Sequence, residues 1–179
     1  MRKISLILII MATAAFAVNG QVENTSYVNG SGERVLRFSF VVPLDRKQAW
    51  EYFTSDEKLA AWIAPLVHID LRSGGYMITN YDKGKSLSDS SSIRLGIPAY
   101  LQEEMLILKV ELNNFFTRKA QEEDTNLQEI IQFESVDGGK TKITSSMIGW
   151  GTGEDWNKTY DFFAKGNEWT YQEFLKLFQ

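Results

Sequence analysis

The chain has 179 residues, 44% of them hydrophobic and 23% charged, with a formal net charge of −4 and no cysteine. That length suits one domain able to bury about 70% of its unfolded surface. The missing cysteines exclude disulfides, thiol nucleophiles, zinc–thiolate centres and a lipid-anchored lipoprotein. The acidic balance argues against nucleic acid and anionic lipid surfaces as partners.

Residues 1–20 read as a secretory signal peptide. Arg2 and Lys3 precede an apolar run from Ile4 to Ala17, and Ala15-Phe16-Ala17 supplies an A-x-A cleavage pattern. The run is short for a membrane span, and cleavage after Gly20 is the alternative cut. Removing residues 1–20 leaves 17 basic against 23 acidic residues, a net charge of −6. The expectation is an exported protein, periplasmic or secreted, monomeric and with no stable membrane association after cleavage. Residues 21–33 are polar, with Asn29-Gly30-Ser31-Gly32 as turn material, and read as a flexible linker.

From Arg34 to Val42 the pattern alternates, with Leu36, Phe38, Phe40 and Val42 on one face, which predicts a half-buried strand ended by Pro43. Asp45 can cap a helix over Arg46–Phe53 that turns Ala49, Trp50 and Phe53 inward. Ser55 can cap a second short helix from Asp56 to Trp62. Strands follow from Pro65 to Arg72 and from Tyr76 to Tyr81, across the turn Ser73-Gly74-Gly75. Asp82 to Ser92, with its five serines, reads as a mobile loop. Ser92–Ile97 and Met105–Leu112 read as strands joined through Pro98-Ala99-Tyr100. Asn113 to Asn126 reads as an exposed loop. Leu127–Val136 and Lys140–Ile148 form a hairpin across Asp137-Gly138-Gly139.

The chain closes on a long amphipathic helix, Glu154 to Gln179. At about 100° per residue, Trp156, Tyr160, Phe163, Thr170, Tyr171, Phe174, Leu177 and Phe178 share a face. Asn167 lies near the centre of that stripe, with Gly166 at its edge, so an aromatic face carries a small polar gap in its middle. The fold class is α+β: a curved antiparallel meander with helices on one side.

Over Arg34 to Phe178 the chain resembles the START-like superfamily, also called SRPBCC or helix-grip. The branch it resembles most is that of the homologues of the activator of heat-shock-protein-90 ATPase. The motifs are Val42-Pro43 followed by Ala49-Trp50 and Phe53, then Ala61-Trp62-Ile63-Ala64-Pro65. After these come Asp70-Leu71-Arg72-Ser73-Gly74-Gly75-Tyr76, Lys142-Ile143-Thr144, and Gly166 to Phe178 with Trp169 and Leu175. The resemblance implies a START-like domain over residues 34–179, its sheet gripping the last helix around a hydrophobic cavity. It further implies an apolar small-molecule ligand. A chaperone-activator role does not carry over, because a secretory signal would place the chain away from cytosolic chaperones. Fold alone does not fix the chemistry.

Site candidates are sparse. His68 is the only histidine. It shares a strand face with Asp70 and Arg72 and reads as solvent-facing, and a multi-histidine metal site is impossible. Glu122-Glu123-Asp124 and Glu103-Glu104 read as solvated carboxylates, not a scaffolded acid–base pair. The serines from Ser86 to Ser92 lack a positioned base. Gly149-Trp150-Gly151-Thr152-Gly153 lacks the lysine of a phosphate loop. Trp50, Trp62, Trp156 and Trp169 read as core. Phe115 and Phe116 either cover a cavity mouth, contact a partner or pack back.

No catalytic residue, cofactor or metal ligand is therefore expected. The expected cavity-lining set is Asn167, Thr170, Tyr160, Phe163, Phe174, Tyr76 and Tyr81. Asn167 would bond to Tyr76, Tyr81, Ser145 or water, or orient a small hydrophobic ligand. Two alternatives stand beside ligand binding. One is a cyclase- or isomerase-type enzyme, which needs a tyrosine or carboxylate of perturbed pKa inside the cavity. The other is a protein-interaction module using Phe115, Phe116 or the outer sheet face.

Overall fold

In the computed structural model, which describes residues 20–179, the polar lead-in is already paired to the sheet. Short strands β1 (Glu23–Asn24) and β2 (Tyr27–Val28) both run antiparallel to β3 (Arg34–Val42). The linker expected over residues 21–33 is thus partly sheet. Its anchor is Val22, which is buried, and Tyr27 lies under the Arg37 guanidinium at 4.6 Å. The signal-peptide reading of residues 1–20 falls almost wholly outside the described residues.

Helix α1 (Arg46–Thr54) starts where expected. Asp45 and Gln48 form a reciprocal capping box, each side chain accepting from the other's backbone N–H. Ala49, Trp50 and Phe53 are buried. Helix α2 (Asp56–Ala60) is shorter than expected, and Ser55 makes no side-chain cap. Instead Asp56 reaches across to the next strand, accepting from Ile69 N at 2.7 Å and pairing with His68 Nδ1 at 2.8 Å. His68 is solvent-facing, its side chain 46% exposed.

Strands β4 (Leu66–Asp70) and β5 (Gly75–Asn80) form the first hairpin. Gly75 is required there, because a Cβ would stand 2.0 Å from Asp70 O. The loop beyond β5 is laced internally. Asn80 Nδ2 donates to Ser92 Oγ at 3.0 Å. Ser91 and Lys85 donate to Asp89 and hold its carboxyl down at about 2.

Strand β6 (Ile93–Leu101) runs through Pro98, where a break between strands was expected. A register shift between Gly96 and Ala99 makes room for a residue with no N–H to give. The reversal into β7 (Met105–Val110) comes later, with Glu103 in the left-handed region at φ 62°.

The segment expected as an exposed loop holds helix α3 (Arg118–Glu123), capped by Thr117. Ala120 is fully buried, and Glu123 accepts from Trp156 Nε1 at 2.9 Å. Asp124 is not merely solvated: its side chain is 7% exposed and pairs with Lys109 at 2.9 Å. Phe116 packs back, stacking on Phe163 at 5.4 Å, while Phe115 stays exposed.

Strands β8 (Gln128–Val136) and β9 (Lys140–Ile148) form the expected hairpin, with Gly138 and Gly139 at positive φ. Helix α4 (Glu154–Lys176) completes the chain, starting after Gly153 and ending three residues short of the C-terminus. Nine described strands make one open antiparallel sheet in the order β1-β3-β9-β8-β7-β6-β5-β4, with β2 also on β3. Its concave face meets α1, α2 and α4, which is the helix-grip α+β arrangement. At one end Phe40, Phe53, Trp62, Tyr171 and Phe174 form a continuous aromatic core, with ring centroids 4.7–6.3 Å apart.

Candidate ligand-binding cavity

Away from that core the helix and sheet part. A cavity of about 290 Å³ opens under the middle of α4. Cross-strand partners share a sheet face, so the paired residues Met77 and Leu95 both turn inward and form one wall with Thr79, Leu108 and Val110. Phe53, Leu59 and Trp62 from α1, α2 and the turn after it form another. Phe163, Gly166, Asn167 and Thr170 form the helical roof. Phe162, Trp169 and Tyr81 line the cavity while about half exposed, so they stand at its mouth. Trp169 is therefore a rim residue and not core as expected.

Four of the seven expected lining residues are in place: Asn167, Thr170, Phe163 and Tyr81. The other three are not. Tyr76 pairs with Asp70, one position out of step with the inward Ile69–Met77 pair, so it lies on the outer face. There it sits under the Arg94 guanidinium at 3.7 Å. Tyr160 is too near the start of α4. It packs edge-on against Trp150 at 4.9 Å and beneath Arg34 at 4.7 Å. Phe174 is one turn beyond the cavity and belongs to the solid core, with no exposed surface.

The polar centre of the cavity is Glu129, which sequence reasoning missed. Its register partners Leu108 and Met147 are both buried, so Glu129 is carried to the same inward face. The available signal was alternation in β8, which puts Glu129 in line with Leu127, Ile131 and Phe133. A lone carboxylate on an otherwise apolar strand face is rare.

Three donors converge on one of its oxygens. Ser145 Oγ donates to Glu129 Oε1 at 2.6 Å and Tyr171 Oη at 2.5 Å, with Asn167 Nδ2 farther away at 3.4 Å. Asn167 also approaches Met147 Sδ at 3.2 Å, so its partners are Glu129 and Met147 and not the residues expected. Thr170 spends its hydroxyl on Gly166 O in its own helix, at 2.8 Å. Burial raises the Glu129 carboxyl above the ordinary carboxylate range, although the Ser145 and Tyr171 bonds pull the other way. Burial, the Glu129 charge and their shared bond push the Tyr171 phenol well above its usual value, so it stays an O–H donor.

The lining includes one carboxylate and no Lys, Arg or His. Among the described residues no cluster of three His, Cys, Asp or Glu side chains could hold a metal ion. None of the described helices is long and apolar enough to cross a membrane. The arrangement can therefore enclose an apolar molecule and offer it one acidic contact.

Residues 43–179 match the family described as Activator of Hsp90 ATPase homolog 1-like protein. Comparison with curated proteins yields no match. Among solved structures, the chain is similar to the Aha1 dimer from Colwellia psychrerythraea. That likeness has 11% identity and a TM-score of 0.58, and covers 80% of this chain and 92% of that one. It is also similar to protein MLL2253 from Mesorhizobium loti, with 12% identity, coverage of 80% and 96%, and a TM-score of 0.62. Protein Ms6760 from Mycobacterium smegmatis gives 14% identity, coverage of 88% and 97%, and a TM-score of 0.60. At such identities these likenesses speak for the fold alone. The family match, spanning most of the chain, goes further: this protein belongs to the Activator of Hsp90 ATPase homolog 1-like family, within the START-like superfamily.

Proposed function

We propose that this domain binds a small, mostly apolar molecule beneath the middle of α4, without covalent catalysis. The observation that carries the reading is the cavity, bounded almost entirely by apolar and aromatic side chains and open at one mouth. Its volume of about 290 Å³ is about twice the ~150 Å³ void that holds benzene in an engineered protein core. That suits a compact one- or two-ring ligand better than a long lipid chain. The basic start, apolar run and A-x-A pattern of residues 1–20 support export, to be checked by N-terminal sequencing of the mature protein.

Trp62 and Trp169 line the cavity, so titration with a bicyclic hydrocarbon should quench tryptophan fluorescence saturably. Absence of any saturable change would overturn the reading. An isomerase- or cyclase-type enzyme is the second reading. It draws support from the burial-shifted Glu129 and its partner Tyr171. The two readings separate on the fate of a bound molecule recovered after incubation: unchanged mass and structure favour binding, conversion favours the enzyme.

A further inference from the structure

We infer that the cavity selects a lipophilic amine, with Glu129 Oε2 as the atom that receives its N–H. This inference rests on the ligand-binding reading and names the ligand's polar group. Oε1 is already saturated by Ser145, Tyr171 and the more distant Asn167. Oε2 has no partner among the described residues, and none of their buried side-chain nitrogens or oxygens lacks one. Oε2 is therefore open to the cavity that Glu129 lines. The three donors also fix the carboxylate plane, so the open oxygen is held in place and not free to rotate away.

The rest of the lining decides which chemistry suits that oxygen. A ligand carboxylate or phosphate would meet Glu129 with no cation among the lining residues to offset the repulsion. Fatty acids and phospholipids are disfavoured on that ground. A neutral hydroxyl could bond to Oε2 but brings no charge to favour the ionised carboxylate. An ammonium supplies that counter-charge, and a charge-assisted bond is the stronger kind. The aromatic lining adds to this, because Trp62, Phe163 and Trp169 border the cavity and aromatic rings attract a cation. Burial raises the Glu129 carboxyl, and an arriving cation offsets that same cost.

The test uses the mature protein and three probes of nearly equal shape: 2-naphthylmethylamine, 2-naphthalenemethanol and 2-naphthoic acid, titrated by calorimetry at neutral pH. The amine should bind about tenfold tighter than the alcohol, or better, and the acid weakest of all. Glu129→Gln should bring amine and alcohol to nearly equal affinity, chiefly by weakening the amine. The ranking in the unmodified protein stands as its own measurement if the variant fails to fold. The inference is overturned if the acid binds as well as the amine, or if a folded Glu129→Gln keeps the amine preference. Saturable alcohol binding without amine preference removes this inference and leaves the ligand-binding reading intact. Failure of all three probes removes both.

Discussion

The two stretches of α4 that face the sheet do opposite things. At its C-terminal end Tyr171 and Phe174 are buried and meet Phe40, Phe53 and Trp62 ring against ring. One turn earlier Gly166, Asn167 and Thr170 face the same concave sheet and leave a void. The backbone is a single uninterrupted helix through both. What changes is side-chain volume and polarity, so a short small-and-polar stretch in an aromatic stripe is enough to turn core into cavity. The sheet follows suit: Phe133 and Phe40 fill the closed end, whereas Met77, Leu95 and Val110 leave the other end open.

The comparison can be broken most severely at the closed end. Phe174→Ala should cost about 3–5 kcal/mol in chemical denaturation, because five aromatic neighbours cannot all collapse into the hole. If that change costs no more than a surface substitution, the closed end is not the structural anchor. In the open stretch the sign should reverse. A Cβ built on Gly166 meets nothing within 4 Å. Gly166→Leu should therefore raise stability by roughly 1 kcal/mol through helix propensity, while sharply reducing binding of a bicyclic probe.

Glu129 sharpens the contrast through pH. Burial raises its folded-state pKa above the ordinary 4.5, so the folded state holds that proton more tightly than the unfolded chain. The associated stability is present below the unfolded value and is lost as pH rises through the folded one. The stability of Glu129→Gln relative to the unmodified protein should accordingly increase as pH rises from the ordinary 4.5 through the raised folded-state value. Urea titrations at both ends check the sign. Ser145, Asn167 and Tyr171 face the carboxylate, and none of them titrates in that window. The smallest effect belongs to the rim. Trp169 is 53% exposed, so Trp169→Ala should move stability by no more than about 0.5 kcal/mol yet alter probe affinity.

Much of the fold was legible because alternation and capping are local signals. Leu36, Phe38, Phe40 and Val42 announce β3, and Asp45 announces α1. Helix α3 was missed because six residues carry too little periodicity, and its cap, Thr117, sits in a polar stretch with many other candidate caps. The continuation of β6 through Pro98 was hidden because a bulge, a feature of pairing and not of sequence, accommodates the proline. In the site, Asn167 was visible as a gap in a stripe. Tyr76 was misplaced because its strand face depends on register with β4, which composition does not encode. Glu129 was overlooked, although its alternation with Leu127, Ile131 and Phe133 placed it inside. A half-buried carboxylate facing the cavity becomes intelligible only when Ser145 and Tyr171 are brought to it from a neighbouring strand and a distant helix.

The measurement that bears most directly on the cavity is native mass spectrometry of this protein purified from its own host. A folded protein carrying a stoichiometric small molecule, released on unfolding and absent from Gly166→Leu, is the predicted result. Protein that is consistently empty, and that takes up no added bicyclic compound, would contradict it.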